Sequence, residues 1–217
     1  MKKVIFIDLD GTLMCKKGII SKANKEALRS AIRCGFQIVL LSGRPYPFVR
    51  YLADQIDRTV DAIGFNGAYG DHVTLRAMDE SFYSLVFKGT QDITTNLVVK
   101  TLNHIYYREE ANQEFIYPMS ANQDVTYDEH VDLSHVLKRD QVMKILGIFG
   151  SKENERSVKE FFKSKKIEYV YFPQRGFELV SPLANKGVAA NEYCRNNGFQ
   201  VKEAYFFGDG YNDIPMF

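Results

Sequence analysis

The sequence has almost no charge imbalance and no long apolar stretch. Its 28 Lys and Arg residues nearly balance its 27 Asp and Glu residues, so there is no broad basic surface for nucleic acid and any anion site must be local. The apolar run that begins at Val4 is interrupted by Asp8 and Asp10, which makes it too short for a signal peptide or a membrane span. We therefore expect a soluble globular protein with neither a nucleic-acid nor a membrane partner.

Cysteine is also scarce. Cys15, Cys34 and Cys194 lie far apart in the sequence and form no C-x-x-C pair. Scattered single cysteines are typical of ordinary thiols in a reducing compartment rather than of a disulfide framework. We expect a cytoplasmic protein.

What the sequence does contain is enough apolar material, 45% of 217 residues, for one large domain or two small ones. Short β-branched and aromatic runs at 4–7, 36–41 and 60–65 alternate with helical segments. Strands that alternate with helices predict right-handed crossovers and a parallel α/β sheet.

This rhythm changes after about residue 79 and returns at Lys186. Between them, we predict strands at 81–87, 142–149, 167–172 and 177–180 and helices at 93–105 and 153–162. A strand at 204–207 then resumes the first pattern. The predicted organisation is a core made of residues 1–81 and 181–217, with a second α/β domain of residues 82–180 inserted into it.

An acidic pair, Asp8 and Asp10, follows the first strand. Side chains two residues apart point to the same side of a strand, and open α/β sheets bind ligands at the carboxyl ends of their strands. Two neighbouring carboxylates repel each other unless a cation lies between them, and hard oxygen ligands suit Mg²⁺. Because Asp-Gly sequences also form ordinary surface turns, this segment alone leaves a structural turn as an alternative.

Three further segments carry groups that fit a phosphate or its counter-ion. Ser42 and Gly43 precede a helix, where a hydroxyl and free backbone N–H groups form a phosphate cradle. Lys186 opens another helix and brings a cation. A simple helix cap would explain the Ser42 segment equally well, and a single lysine taken alone is more often a solvated surface residue. Asp209 and Asp213 follow the last strand. Acidic groups after two distant strands predict a shared cation site.

The order of these segments resembles the haloacid dehalogenase-like hydrolase superfamily. The matching sequences are DLDGT at 8–12, LSGRP at 41–45, ANKG at 184–187 and GDGYND at 208–213, which we number as the first to fourth motifs. The long insertion between the second and third motifs, together with FNGAYG at 65–70, resembles its Cof-type, class IIB sugar-phosphatase branch. The resemblance spans the chain and implies a Rossmannoid core with an inserted type-two cap.

The resemblance also implies catalytic roles. Asp8 becomes the nucleophile that accepts the phosphoryl group, and Asp10 protonates the leaving oxygen before it deprotonates the attacking water. Ser42, the Gly43 amide and Lys186 hold the non-bridging phosphate oxygens.

The remaining groups complete the phosphate and metal sites. The resemblance assigns phosphate contacts to the backbone N–H of Leu9 and to Asn212. It implies a Mg²⁺ site whose groups come from both acidic loops, namely Asp8, the Asp10 backbone carbonyl, Asp209 and Asp213. Within that site Asp213 positions either Lys186 or a metal-bound water.

The chain departs from this family after the fourth motif. Relatives continue with a further strand and helix, whereas this sequence ends at Met216 and Phe217. We expect a fragment or a truncated form in which a short helix starts near Tyr211 and holds Asn212 and Asp213 loosely.

Three functions are compatible with these motifs. The first is a phosphatase that acts on small phosphorylated metabolites such as sugar phosphates, as a monomer or a weak homodimer. The second is a phosphomutase of similar fold, in which a second substrate oxygen replaces water. The third is a catalytically impaired binding protein.

Overall fold

The computed structural model describes residues 3–14, 19–102, 104–107, 126–129, 133–138, 140–172 and 175–217. The chain divides into two compact units, which are here called the core unit (Met1–Arg76 with Leu183–Phe217) and the inserted unit (Ala77–Pro182). The sequence predicts these boundaries at 82 and 180. Within the described ranges, no helix combines the length and the apolar character that crossing a bilayer requires.

The core unit is built on a five-stranded sheet. Its strands are β1 (Lys3–Ile7), β2 (Phe36–Leu41), β3 (Asp61–Gly64), β4 (Tyr69–Gly70) and, at the far end of the chain, β11 (Ala204–Phe207). The order across the sheet is β11-β1-β2-β3-β4, with all pairs parallel except β3 and β4. The helices are α1 (Lys22–Arg33), α2 (Tyr46–Asp54) and α5 (Lys186–Asn197).

Both faces of this sheet are buried, which explains why its strands show apolar runs rather than alternation. Val4 and Phe6 of β1 pack with Tyr193 of α5 on one face. The next side chain along the strand, Ile7, packs on the other face with residues of α1 and α2. Helices on both sides of a parallel sheet give the predicted Rossmannoid core.

Local capping residues mark the helix ends of the core unit. The Ser21 hydroxyl accepts a hydrogen bond from the Asn24 N–H at 3.1 Å and caps α1. Gly35 follows α1 with a φ of 85° and Gly198 follows α5 with a φ of 72°, a backbone conformation that favours glycine at a helix end.

The inserted unit has a sheet of its own, with helices α3 (Glu80–Thr90) and α4 (Lys152–Lys165). The six strands lie in the order β7-β6-β5-β8-β10-β9, and all neighbours are antiparallel except β6 and β7. Their bounds are β5 (Asn96–Lys100), β6 (His104–Tyr107), β7 (Thr126–Glu129), β8 (Lys144–Ile148), β9 (Val170–Phe172) and β10 (Gly176–Val180).

Two predicted elements of this unit are wrong. Residues 81–87, predicted as a strand, lie in helix α3. Asp79 caps this helix by accepting a hydrogen bond from the Phe82 N–H at 2.8 Å, and the buried residues Tyr83, Val86 and Thr90 recur at helical spacing. The aromatic composition favoured a strand, but the cap and the spacing determine the structure.

Residues 93–105, predicted as an amphipathic helix, contain strand β5 and the start of β6. All five residues of β5 are buried, so the strand lacks the polar alternation that identifies a half-buried one. The other predicted strands and helices are confirmed with small shifts at their ends.

Candidate active site

The first motif forms a tight turn at the carboxyl end of β1. Asp8 is 5% exposed, and its N–H donates to the carbonyl of Phe207 at 2.9 Å. Gly11 has a φ of 86°, and a Cβ at that position would lie 2.1 Å from Oδ2 of Asp209. Only glycine fits this close approach between the first and fourth motifs. The Thr12 hydroxyl also donates to Asp209 Oδ1, at 2.7 Å.

Lys186 lies in the first turn of α5 with its side chain fully buried. Asn185 caps the helix by accepting a hydrogen bond from the Val188 N–H at 3.0 Å. The Lys186 ammonium donates to Asp8 Oδ1 at 2.6 Å and to Asp213 Oδ1 at 2.5 Å. One cation therefore connects the first, third and fourth motifs.

Asp213 is completely buried in a short 3₁₀ helix, Tyr211–Met216. Its Oδ2 accepts hydrogen bonds from the N–H groups of Asp209 (3.1 Å) and Gly210 (2.9 Å), while its Oδ1 contacts Lys186. The expectation that Asp213 would be loosely held is therefore wrong. The Oδ2 bonds close the turn from Asp209 to Asp213, and the Oδ1 bond fixes that turn to Lys186.

Three carboxylates form an acidic cluster. Ligand oxygens of Asp8, Asp209 and Asp213 all lie within 4.8 Å of one another. Burial raises the pKa of Asp8 above its ordinary value, while the neighbouring Lys186 lowers it and Asp213 raises it. A further cation beside Lys186 would relieve the repulsion among these groups.

The second motif forms the adjoining loop, after β2. Ser42 is fully buried and its hydroxyl accepts from the Arg44 N–H at 3.2 Å. The Arg44 guanidinium donates to both oxygens of Asp10, at 2.8 and 2.7 Å. The exposed Asp10 carboxylate thus faces Arg44 and is not one of the three clustered carboxylates.

The other two predicted phosphate contacts, Leu9 and Asn212, have these surroundings. The side chain of Leu9 is buried, and its backbone lowers the pKa of the neighbouring Asp8 carboxyl by hydrogen bonding. Asn212 is exposed, and its side-chain Nδ2 donates to Asn66 Oδ1 at 2.8 Å.

Sequence reasoning gave no role to Arg44, Thr12 or Asn66. Each makes a side-chain contact with a predicted site residue. A signal existed for Asn66, since an Asn-Gly pair is typical of positive φ angles. For Arg44 and Thr12, position within a motif was the only signal.

A cavity of about 640 Å³ also opens on the core unit, but none of the predicted site residues lines it. Its walls are Arg76, Val188, Asn191, Glu192, Arg195, Phe199 and Val201. The candidate site is therefore defined by the clustered side chains rather than by this cavity.

Known proteins resemble the chain over nearly its whole length. A family model described as haloacid dehalogenase-like hydrolase matches residues 5–217. Phosphatase YwpJ of Bacillus subtilis (strain 168) is 27% identical, with 99% of this chain and 85% of the relative covered. The 5-amino-6-(5-phospho-D-ribitylamino)uracil phosphatase YwtE of the same organism is 23% identical, with 99% and 84% covered.

Solved structures show the same fold. A haloacid dehalogenase-like hydrolase from Bacteroides thetaiotaomicron has a TM-score of 0.83 at 21% identity, covering 100% of this chain and 85% of its own. The haloacid dehalogenase subclass IIB sugar phosphatase BT4131 has a TM-score of 0.76 at 22% identity, covering 99% and 83%. At these identities the likeness establishes the fold.

Proposed function

The chain belongs to the haloacid dehalogenase-like hydrolase family, and from this membership we propose that it is a magnesium-dependent phosphatase that forms an aspartyl-phosphate on Asp8. The observation that carries this proposal is the contact of Lys186 with Asp8 inside the acidic cluster. A carboxylate that attacks an anionic phosphate needs positive charge beside it. Lys186 supplies one such charge.

The donor set of the acidic cluster fits Mg²⁺, which binds hard oxygen ligands. Asp209 is exposed and Asp8 lies at a strand end, so both present carboxylate oxygens to a common point. We propose these two as direct ligands together with the Asp10 backbone carbonyl, and Asp213 as the group behind them that holds Lys186. When bound, magnesium supplies positive charge that offsets the repulsion between carboxylate and phosphate.

Asp8 performs the first displacement. One of its oxygens attacks phosphorus, and the bond from phosphorus to the leaving oxygen breaks. The leaving oxygen keeps the electron pair of that bond and takes a proton from Asp10. In the second step water attacks the phosphorus of the aspartyl-phosphate and gives its proton to Asp10. Asp8 is released as a carboxylate together with inorganic phosphate.

Asp10 must carry a proton when the first step begins. The two hydrogen bonds that Arg44 donates to it fix the position of the Asp10 side chain beside the second-motif loop.

The non-bridging oxygens of the substrate phosphate would be held by groups that are already fixed. We propose that the Ser42 hydroxyl, the Gly43 N–H and Lys186 bind them, with Leu9 and Asn212 as further contacts. Ser42 and Lys186 are fully buried, so little reorganisation is needed when charge develops in the transition state.

We propose small phosphorylated metabolites of the sugar-phosphate kind as substrates. This is supported by the solved sugar phosphatase of similar fold and by the phosphorylated ribityl compound in the name of one relative. We also propose a cytoplasmic location, which the free thiols of Cys34 and Cys194 support.

The test is a phosphate-release assay on a panel of phosphorylated metabolites with Mg²⁺. We expect turnover that excess chelator abolishes and added Mg²⁺ restores. Asp8→Asn is nearly isosteric but cannot attack phosphorus, so it should fold normally and lose at least about a thousandfold in kcat. Turnover by a folded Asp8→Asn protein without deamidation would refute the mechanism, and an isomerised sugar phosphate in place of free phosphate would identify a mutase.

A further inference from the structure

We propose that Asn66 is a positioning residue that fixes Asn212 and the second-motif loop, an assignment that rests on the proposed phosphatase function. The starting observation is the backbone of the Phe65–Gly67 turn. Phe65, Asn66 and Gly67 have φ angles of 52°, 57° and 90°. Two successive non-glycine residues in the left-handed region are uncommon, and such conformations persist where the surrounding structure determines them.

The backbone of the turn holds the second motif. The Asn66 N–H donates to the Ser42 carbonyl at 2.9 Å, and the Phe65 N–H donates to the Arg44 carbonyl at 2.8 Å. These bonds fix the backbone of the second-motif loop on both sides of Gly43. The left-handed conformation is what directs two successive N–H groups toward one loop.

The side chain of Asn66 extends the contact to the fourth motif. Its Oδ1 accepts the 2.8 Å hydrogen bond from Asn212 Nδ2. The same oxygen would lie 3.0 Å from a Cβ on Gly43, so it packs directly against the loop proposed to bind phosphate. One amide therefore touches both loops.

Gly67 brings the turn against the third motif. A Cβ on Gly67 would lie 2.7 Å from the Asn185 carbonyl oxygen and 2.7 Å from the Ala189 Cβ. Asn185 is the residue that caps the helix carrying Lys186. The turn thus contacts the second, third and fourth motifs while contributing no group to the acidic cluster.

The identity of residue 66 supports a role for the side chain itself. Glycine would adopt a φ of 57° with the least strain, whereas asparagine tolerates it and adds an amide. Because the Asn66 amide holds Asn212, we infer that loss of the amide acts on catalysis through Asn212.

The experiment compares the 217-residue wild type with Asn66→Gly, Asn212→Ala, the double variant and a control, His72→Gly. His72 also has a left-handed backbone, with a φ of 60°, and is outside the proposed machinery. Each protein is assayed for p-nitrophenyl phosphate hydrolysis with Mg²⁺ and for binding of inorganic phosphate by calorimetry, and its melting temperature is recorded.

We expect Asn66→Gly and Asn212→Ala each to lower kcat about tenfold, and the double variant to be no slower than the slower single variant. The His72→Gly protein should stay within about twofold of wild type. Multiplied losses in the double variant, or wild-type kcat in Asn66→Gly, would overturn the assignment. The assignment would also be overturned if the loss of kcat across the variants simply paralleled their loss of melting temperature.

Failure of the proposed function is a separate outcome. If the wild type hydrolyses no phosphomonoester, the phosphatase proposal fails, and phosphate affinity then decides the role of Asn66. The positioning role of Asn66 is supported if phosphate affinity is about tenfold weaker in both single variants and no weaker still in the double variant. Unchanged affinity, or no phosphate binding by the wild type, contradicts it.

Discussion

Removal of the Lys186 side chain should destabilise the core unit. Its buried ammonium contacts the buried carboxylates of Asp8 and Asp213. In Lys186→Met both carboxylates lose this partner, and we expect the free energy of unfolding at neutral pH to fall by about 3–5 kcal/mol in urea denaturation. Lys159→Met is the control, because it breaks a partly exposed ion pair with Glu155 and should cost less than about 1 kcal/mol. Similar losses in the two variants would contradict the prediction.

Glu192 makes a pH-dependent contribution to stability. Burial raises the pKa of this carboxyl, but hydrogen bonds from Thr74 and Arg76 outweigh that effect and bring the pKa below its ordinary value. The unfolded chain therefore takes up the proton more readily. The stabilisation is complete above the ordinary pKa, about 4.3, and is lost as the pH falls through the lower folded pKa.

The check is urea denaturation of wild type and Glu192→Gln at several pH values. The variant should be less stable at pH 7, and the difference should shrink toward pH 3. A difference that is independent of pH would show that Glu192 contributes through packing alone.

At the residue scale, the sequence predicts which residues form the site better than it predicts which of them are in contact. It indicates that Asp8, Asp209, Asp213 and Lys186 follow or precede buried elements, and the structure brings these four together. The Asn66 contact with Asn212 spans 146 positions. No local pattern encodes such a pair, because it depends on how separate elements pack.

At the scale of elements, prediction from hydrophobic periodicity fails where both faces of a strand are buried. All residues of strand β5 are buried, so its apolar run cannot be distinguished from a buried helical segment by periodicity. Helix α3 is rich in Phe and Tyr, and its true signal is the Asp79 cap. By contrast, helix α4 was predictable because Ser151 caps it and Val158 and Phe162 lie one turn apart.

The end of α4 offers a stabilising substitution. Lys166, the residue after this helix, is exposed and left-handed, with φ 53° and ψ 40°. Glycine adopts this conformation without the Cβ penalty, so Lys166→Gly should raise the free energy of unfolding by about 0.5–1 kcal/mol. Chemical denaturation measures this, and Lys163→Gly inside the same helix should instead destabilise by about 1 kcal/mol. If Lys166→Gly were less stable than wild type, the contacts of the lysine side chain would contribute more to stability than the relief of backbone strain.

At the scale of the molecule, the inserted unit has its own sheet and its own apolar core. The residues of that core all lie between Met78 and Leu179. We expect a fragment of residues 77–182 to fold alone and to unfold cooperatively in urea, with matching transitions by fluorescence and circular dichroism. The matched control is the same fragment with Phe162→Ala, which removes a fully buried ring and should lower its stability by about 3–5 kcal/mol. A gradual, non-cooperative transition would contradict the prediction.

The pairing of β1 with β11 has a consequence for the synthesis of the chain. Val4 pairs with Ala204, so β1 leaves the ribosome long before its partner β11 exists, by about 10–40 s at usual translation rates. During that interval the apolar side chains of β1 lack part of their cover, while the inserted unit can already fold. Asp8 and Lys186 can meet only late in synthesis, so we expect the candidate active site to be assembled last, and the partly uncovered strand β1 to be exposed to aggregation until then.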